Sequence, residues 1–135
     1  MIKAINKEAL RNNQTKENLE LALADMLNGI REDWELSISD IAAILSMPEG
    51  TVKGWLKPNS HVSLSSVLDH NTQAIIDFID VYNMIASFFV KKSDQIQWFK
   101  APSNRFFGKS PMEMISEAPH NLATARYLIK GMLNP

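Results

Sequence analysis

The chain has 135 residues, 45% of them hydrophobic and 21% charged, and a formal net charge of −1. That balance fits one globular domain or two very small helical modules and excludes a charge-dominated disordered polymer, while near-neutrality excludes long-range attraction to nucleic acid or an anionic membrane. The absence of cysteine excludes disulfides, thiolate metal sites and cysteine nucleophiles.

The first residues, Met1-Ile2-Lys3-Ala4-Ile5-Asn6-Lys7-Glu8, lack the apolar run of a signal peptide. Together with apolar stretches much shorter than a membrane span, this makes a cytoplasmic protein the expectation. Thr15 is placed to cap a first helix, in which Leu19, Leu23, Met26, Leu27 and Ile30 recur at three- and four-residue steps. A short second helix is predicted after Ser37, capped by Ser37 or Ser39, with Ile38, Ile41, Ala42 and Leu45 facing inward. Pro48 suits the first turn of a third helix carrying Val52, Trp55 and Leu56. Pro58-Asn59-Ser60 ends it and reads as a linker.

Residues 66–90 hold the longest regular pattern. Leu68, Ile75, Phe78, Ile79, Tyr82, Ile85, Ala86 and Phe89 keep helical spacing, and Val81 and Phe88 widen the stripe. A stripe that broad is buried on more than one side, as a central core helix or one shared with another subunit. A shorter helix over 94–100 precedes an irregular stretch at 101–110. Ser110-Pro111-Met112-Glu113 then gives a cap, a first-turn proline and a capping-box glutamate in sequence. A final helix is predicted to begin near Ala118 or Pro119 and to run to about Met132.

The fold class is therefore all-α. Residues 1–60 form a helix-turn-helix module, followed over 61–135 by a long central helix and a small helical domain. Residues 38–56 have the apolar skeleton of a helix-turn-helix, with Ala42 at the crossing and Val52 packed on it. Ser46 stands where such turns commonly carry glycine, so a left-handed backbone there is mildly strained. On the second helix Glu49, Thr51, Lys53 and Lys57 face outward as candidate DNA contacts; the bland alternative is a module that only supports dimerisation or partner binding. Catalytic and metal chemistry are not indicated, and no cofactor is expected. His61, His70 and His120 share no ligand spacing, and Asp77 and Asp80 read as a solvated helix face.

The most distinctive stretch, residues 98–115, pairs two aromatics at a helix end with a Pro/Asn turn, a second aromatic pair, a glycine and the capped helix at Ser110. With Trp98-Phe99, the loose Pro102 and Asn104 element, and Phe107-Gly108-Lys109-Ser110-Pro111-Met112-Glu113-Met114-Ile115, it resembles the C-terminal toxin-binding domain of the Xre/MbcA/ParS antitoxin family. The upstream Xre-like module stands in that family's usual order.

The resemblance implies a protein that is not an enzyme. It implies an antitoxin of a type II toxin–antitoxin pair, whose partner is a cognate RES-type, NAD-consuming toxin. The antitoxin occludes the toxin's active site and represses its own operon at operator DNA, as a homodimer or higher oligomer without membrane attachment. The toxin-binding candidates are Arg105 and Lys109 from the loop, with Arg126, Tyr127, Lys130, Met132, Leu133 and Asn134 at the end. Trp98, Phe99, Phe107, Gly108, Pro111 and Ile115 are expected to define the domain's core. The alternatives are a stand-alone helix-turn-helix transcriptional regulator with a C-terminal dimerisation domain, and a polarity-type adaptor with no toxin.

Overall fold

A computed structural model describes residues 13–64 and 70–133. Among these residues the chain forms seven α-helices: α1 (Asn13–Asp33), α2 (Ile38–Leu45), α3 (Glu49–Trp55), α4 (His70–Phe88), α5 (Lys92–Lys100), α6 (Pro111–Ser116) and α7 (Asn121–Leu133). The all-α expectation holds, and the extended backbone among the described residues is an isolated bridge between Ser103 and Lys109. No helix of the described residues is long and apolar enough to cross a membrane.

The apolar stripe of α1 buries Leu23, Leu27 and Ile30, with Leu19 and Met26 partly covered. Thr15, expected as its cap, lies inside the helix. The stripe runs on past the helix end to Trp34, which is fully buried and packs against Phe78, Tyr82 and Phe99 with ring centroids 6.4, 5.1 and 4.6 Å away. Its indole N–H would cost ~1–3 kcal/mol if buried unpaired. Trp34 Nε1 instead donates to Gln95 Oε1 at 2.9 Å, and Gln95 Nε2 donates to the Phe89 carbonyl at 2.7 Å. One buried amide thus ties the end of α1 to α5 and to the end of α4.

Both α1 and α2 end on non-glycine residues in the left-handed region, Glu35 (φ 53°) and Ser46 (φ 55°). Each closes the paired backbone bonds that satisfy a helix end. Leu36 N–H reaches the Arg31 carbonyl at 2.9 Å, and Met47 N–H the Ala42 carbonyl at 2.9 Å. The start of α2 is a capping box in which the Ser37 hydroxyl accepts from Asp40 N–H and the Asp40 carboxylate from Ser37 N–H, each at 3.0 Å. Ile41, Ala42, Ile44 and Leu45 of α2 face Val52, Trp55 and Leu56 across the turn, all buried.

The linker after Pro58 is packed against α1. Val62 and Leu64 are buried, and Leu64 N–H donates to the Glu20 carboxylate at 2.8 Å. A single hydrophobic cluster consequently runs from α1 to α7 across position 60. Within α4, Ile75, Phe78, Ile79, Val81 and Ile85 are buried, while Leu68 lies outside the described residues. Phe88, read as widening the buried stripe, is instead 62% exposed because α4 ends there and its last turn overhangs the core.

The Ser110 capping box forms as expected, with Pro111 in the first turn of α6. The final helix starts later than expected, at Asn121, whose side-chain amide donates to the Met114 carbonyl at 2.7 Å. Leu122, Ala125 and Ile129 are the buried face of α7. Their three- and four-residue spacing lays that helix along α4.

Candidate functional site

The turn between α5 and α6 is built on Phe106, fully buried and set edge-to-face on Trp98 with ring centroids 5.9 Å apart. A 3-10 turn at Asn104–Phe106 reverses the chain, its first residues held by the Ser103 hydroxyl, which accepts from Arg105 N–H at 3.2 Å. Ser103 N–H donates to the Lys109 carbonyl and Gly108 N–H to the Ser103 carbonyl, both at 3.0 Å. Phe99, Pro111 and Ile115 are buried and Trp98 is half-buried, as expected of core residues.

Gly108, expected in that core, is exposed, and Phe107 is not part of the core either. It occupies the left-handed region at φ 60°, directly before Gly108 at φ 80°, and its side chain is 82% exposed. Two successive positive φ values turn the chain so that Phe106 points inward and Phe107 points out. The sequence presents an adjacent aromatic pair, and only the backbone decides which member is the anchor.

Arg105 is exposed and lines two adjoining clefts. One, of about 170 Å³, is walled by Ile85, Phe88, Phe89, Trp98, Ile129 and Met132. The other, of about 360 Å³, runs along α7 between Tyr127, Leu128, Gly131 and Met132. Tyr127 is 76% exposed beside it. The structure therefore brings Arg105, Tyr127 and Met132 onto one surface, with Lys130 also exposed on α7. The Leu133 backbone closes α7, and Asn134 lies outside the described residues.

The cations of this region are unequal. Arg126 Nε donates to Asp80 Oδ2 at 2.9 Å and lies 3.8 Å from Asp77 Oδ1. Asp77 is buried, so the two aspartates are a docking point for α7 and not the solvated face expected of them. Lys109 forms an exposed ion pair with Glu117. Of the three loop and helix cations Arg105, Lys109 and Arg126, Arg105 has no ion-pair partner among the described residues.

A second surface lies on α3 and the turn that follows it, where Glu49, Thr51, Lys53 and Lys57 are all exposed, as the amphipathic reading predicts. The Glu113 carboxyl is held below its ordinary pKa by the backbone and hydroxyl of Ser110, which is the electrostatic signature of the capping box. Elsewhere, Tyr82 Oη donates to Asp33 Oδ2 at 2.5 Å and Lys92 Nζ to Asp33 Oδ1 at 2.6 Å. Those two bonds lower the Asp33 pKa, Lys92 first, whereas burial and the Asp33 carboxylate push the Tyr82 phenol up to about 12.

Sequence reasoning missed Trp34, Gln95 and Phe106. Trp34 was legible as the next step of the Leu23, Leu27, Ile30 stripe, but acidic neighbours obscure it. The Arg126 pairing joins α4 to α7 over 46 positions, and no local pattern announces it.

No family model matches the chain, and no curated protein matches it. Among solved structures, a chain in the crystal structure of the M. tuberculosis MbcT–MbcA toxin–antitoxin complex is similar in fold. Its TM-score is 0.51 at 17% identity, over 81% of this chain and 95% of that one.

Proposed function

We propose that the chain is an antitoxin that binds and neutralises a RES-type, NAD-consuming toxin by covering its active site with the outer face and tail of α7. The observation that carries this reading is the exposed aromatic and basic surface around Arg105, Tyr127 and Met132, in a fold similar to a chain of a toxin–antitoxin complex. Exposed aromatics and arginines are the side chains that dominate protein interfaces. The candidates are those of the sequence reading, Arg105, Lys109, Arg126, Tyr127, Lys130, Met132, Leu133 and Asn134. Arg126 takes the role of positioning α7, because its charge is already met within the fold.

The same reading includes autorepression, with α2 and α3 as a helix-turn-helix and Glu49, Thr51, Lys53 and Lys57 on DNA. A stand-alone regulator is the second reading, favoured by the exposure of those same side chains on α3. Co-expression with the product of the adjacent reading frame separates the two: growth rescue and co-purification are expected of an antitoxin. Removing residues 131–135 should abolish rescue while leaving the fold, since the buried residues Leu122, Ala125 and Ile129 all precede the cut. Rescue that survives this truncation sinks the occlusion mechanism.

A further inference from the structure

We propose that the turn of residues 103–109 is a preformed anchor that grips the toxin beside its contact with α7, Phe107 entering an apolar socket and Arg105 meeting a carboxylate of the toxin. The proposal rests on the antitoxin reading and adds a second point of contact to it.

Phe107 is doubly unfavourable for the chain alone. A non-glycine residue in the left-handed region is strained, and a phenyl ring in water gains nothing from folding. Its φ of 60° and 82% exposure are both repaid only when something covers the ring. Glycine at 107 would make the same turn without strain, so the turn itself does not require the phenyl group. The turn is also rigid. Phe106 is seated on Trp98, and the backbone bonds between Ser103 and both Gly108 and Lys109 close the loop. An anchor ordered in advance loses little entropy on binding.

The charge pattern indicates the occupant. Arg105, two residues before Phe107 in the same turn, has no ion pair among the described residues, whereas Lys109 is held by Glu117. A complementary surface therefore carries an apolar pocket and an acidic side chain. A second copy of this chain suits poorly. A two-fold contact centred on the turn would bring Arg105 near its own equivalent, and the carboxylates beside the turn are engaged, Glu113 accepting from Ser110 N–H and Glu117 paired with Lys109. The partner is thus a protein of different sequence, and continuity with the α7 clefts, which Arg105 also lines, makes it the same toxin.

The test measures melting temperature and affinity together, using the purified full chain and the purified product of the adjacent reading frame. Phe107→Gly should raise Tm by about 2–5 °C, because strain is relieved, while weakening binding by about 30-fold or more. Arg105→Ala should leave Tm unchanged and weaken binding by about 10-fold, with a shallower salt dependence. If the wild-type chain does not bind that protein, the antitoxin reading fails and this inference with it. If the wild type binds and both variants bind equally well, the anchor alone is wrong. A fall in Tm for Phe107→Gly, or a dimer that dissociates in that variant, also overturns it by showing that the ring packs within the chain or against a second copy.

Discussion

The α3 face and the face formed by α7 with the 103–109 turn lie on one helical core, yet they are built from opposite chemistry. On α3 and just past its end the exposed side chains are Glu49, Thr51, Lys53 and Lys57, with two glycines between them. Such a surface gains affinity only from solvated cations reaching phosphate, and it weakens as salt rises. The other face offers Phe88 and Tyr127 to solvent beside clefts that Arg105 lines, and Phe107 from the same turn as Arg105. Rigid aromatic groups are what a protein partner can desolvate at small entropic cost. The two surfaces therefore suit different partners, while a shared core around Trp34 obliges them to stand or melt together.

The largest expected effect tests that shared core. Trp34→Ala removes the centre of an aromatic cluster contributed by Phe78, Tyr82 and Phe99, and orphans the Gln95 carbonyl. A loss of ~3–5 kcal/mol is expected, a large share of the ~5–15 kcal/mol typical of a domain. Trp55 at the end of α3 and Trp98 under the turn serve as separate reporters when the chain carries fluorotryptophan and its resolved fluorine NMR signals are followed on heating. In the wild type both should report one thermal midpoint, and both should shift together in the variant. Two separate midpoints would divide the chain at position 60 into independent modules.

Next in size is the response of the α3 face to charge removal. Lys53→Ala with Lys57→Ala takes away two exposed cations, so operator affinity should fall and the log–log salt slope should shrink by about 1.8, following ~0.9 per phosphate contact. Binding of the proposed protein partner should be untouched. Binding that keeps its salt slope would remove α3 from the DNA-reading role and leave the second surface as the functional one.

How legible these features were follows from the range of the interactions involved. Helix spacing, the Ser37 and Ser110 caps and the strain at Ser46 are local, and each is found where the sequence places it. The site is less legible for two reasons. The exposure of Phe107 depends on two consecutive left-handed residues, which an aromatic pair does not reveal. The pairing of Arg126 with Asp80 depends on packing between distant helices, so a residue that reads as a free interface cation turns out to be a brace.

Smaller again is the effect at Ser46, the α3-side counterpart of Phe107. Both adopt the left-handed region, but Ser46 closes a helix end by backbone bonds and its exposed side chain makes no demand on a partner. Ser46→Gly should therefore raise stability by ~0.5–1 kcal/mol and leave both binding activities as they are. A destabilised variant would mean that the serine side chain holds the turn, which would end the parallel between the two strained positions.

The smallest effect concerns pH, at the contact that joins α1 to α4 and α5. The Asp33 pKa is lowered in the folded state, so its contribution is present above the unfolded carboxylate value of about 4 and fades as pH falls through the lower folded value. With Lys92 mostly exposed, this amounts to no more than ~0.5 kcal/mol, read as a slightly steeper acid limb that Lys92→Ala should flatten. Tyr82 has the opposite sign. Its pKa is raised to about 12, so its contribution is complete below the unfolded value of about 10 and is lost as pH climbs toward 12. In a Tyr127→Phe background Tyr82 is the one remaining tyrosine of the chain, and phenolate absorbance should give its midpoint near 12. A midpoint near 10 would mean that the Tyr82–Asp33 bond does not persist in solution, and the contact would no longer account for how α1 is held against α4.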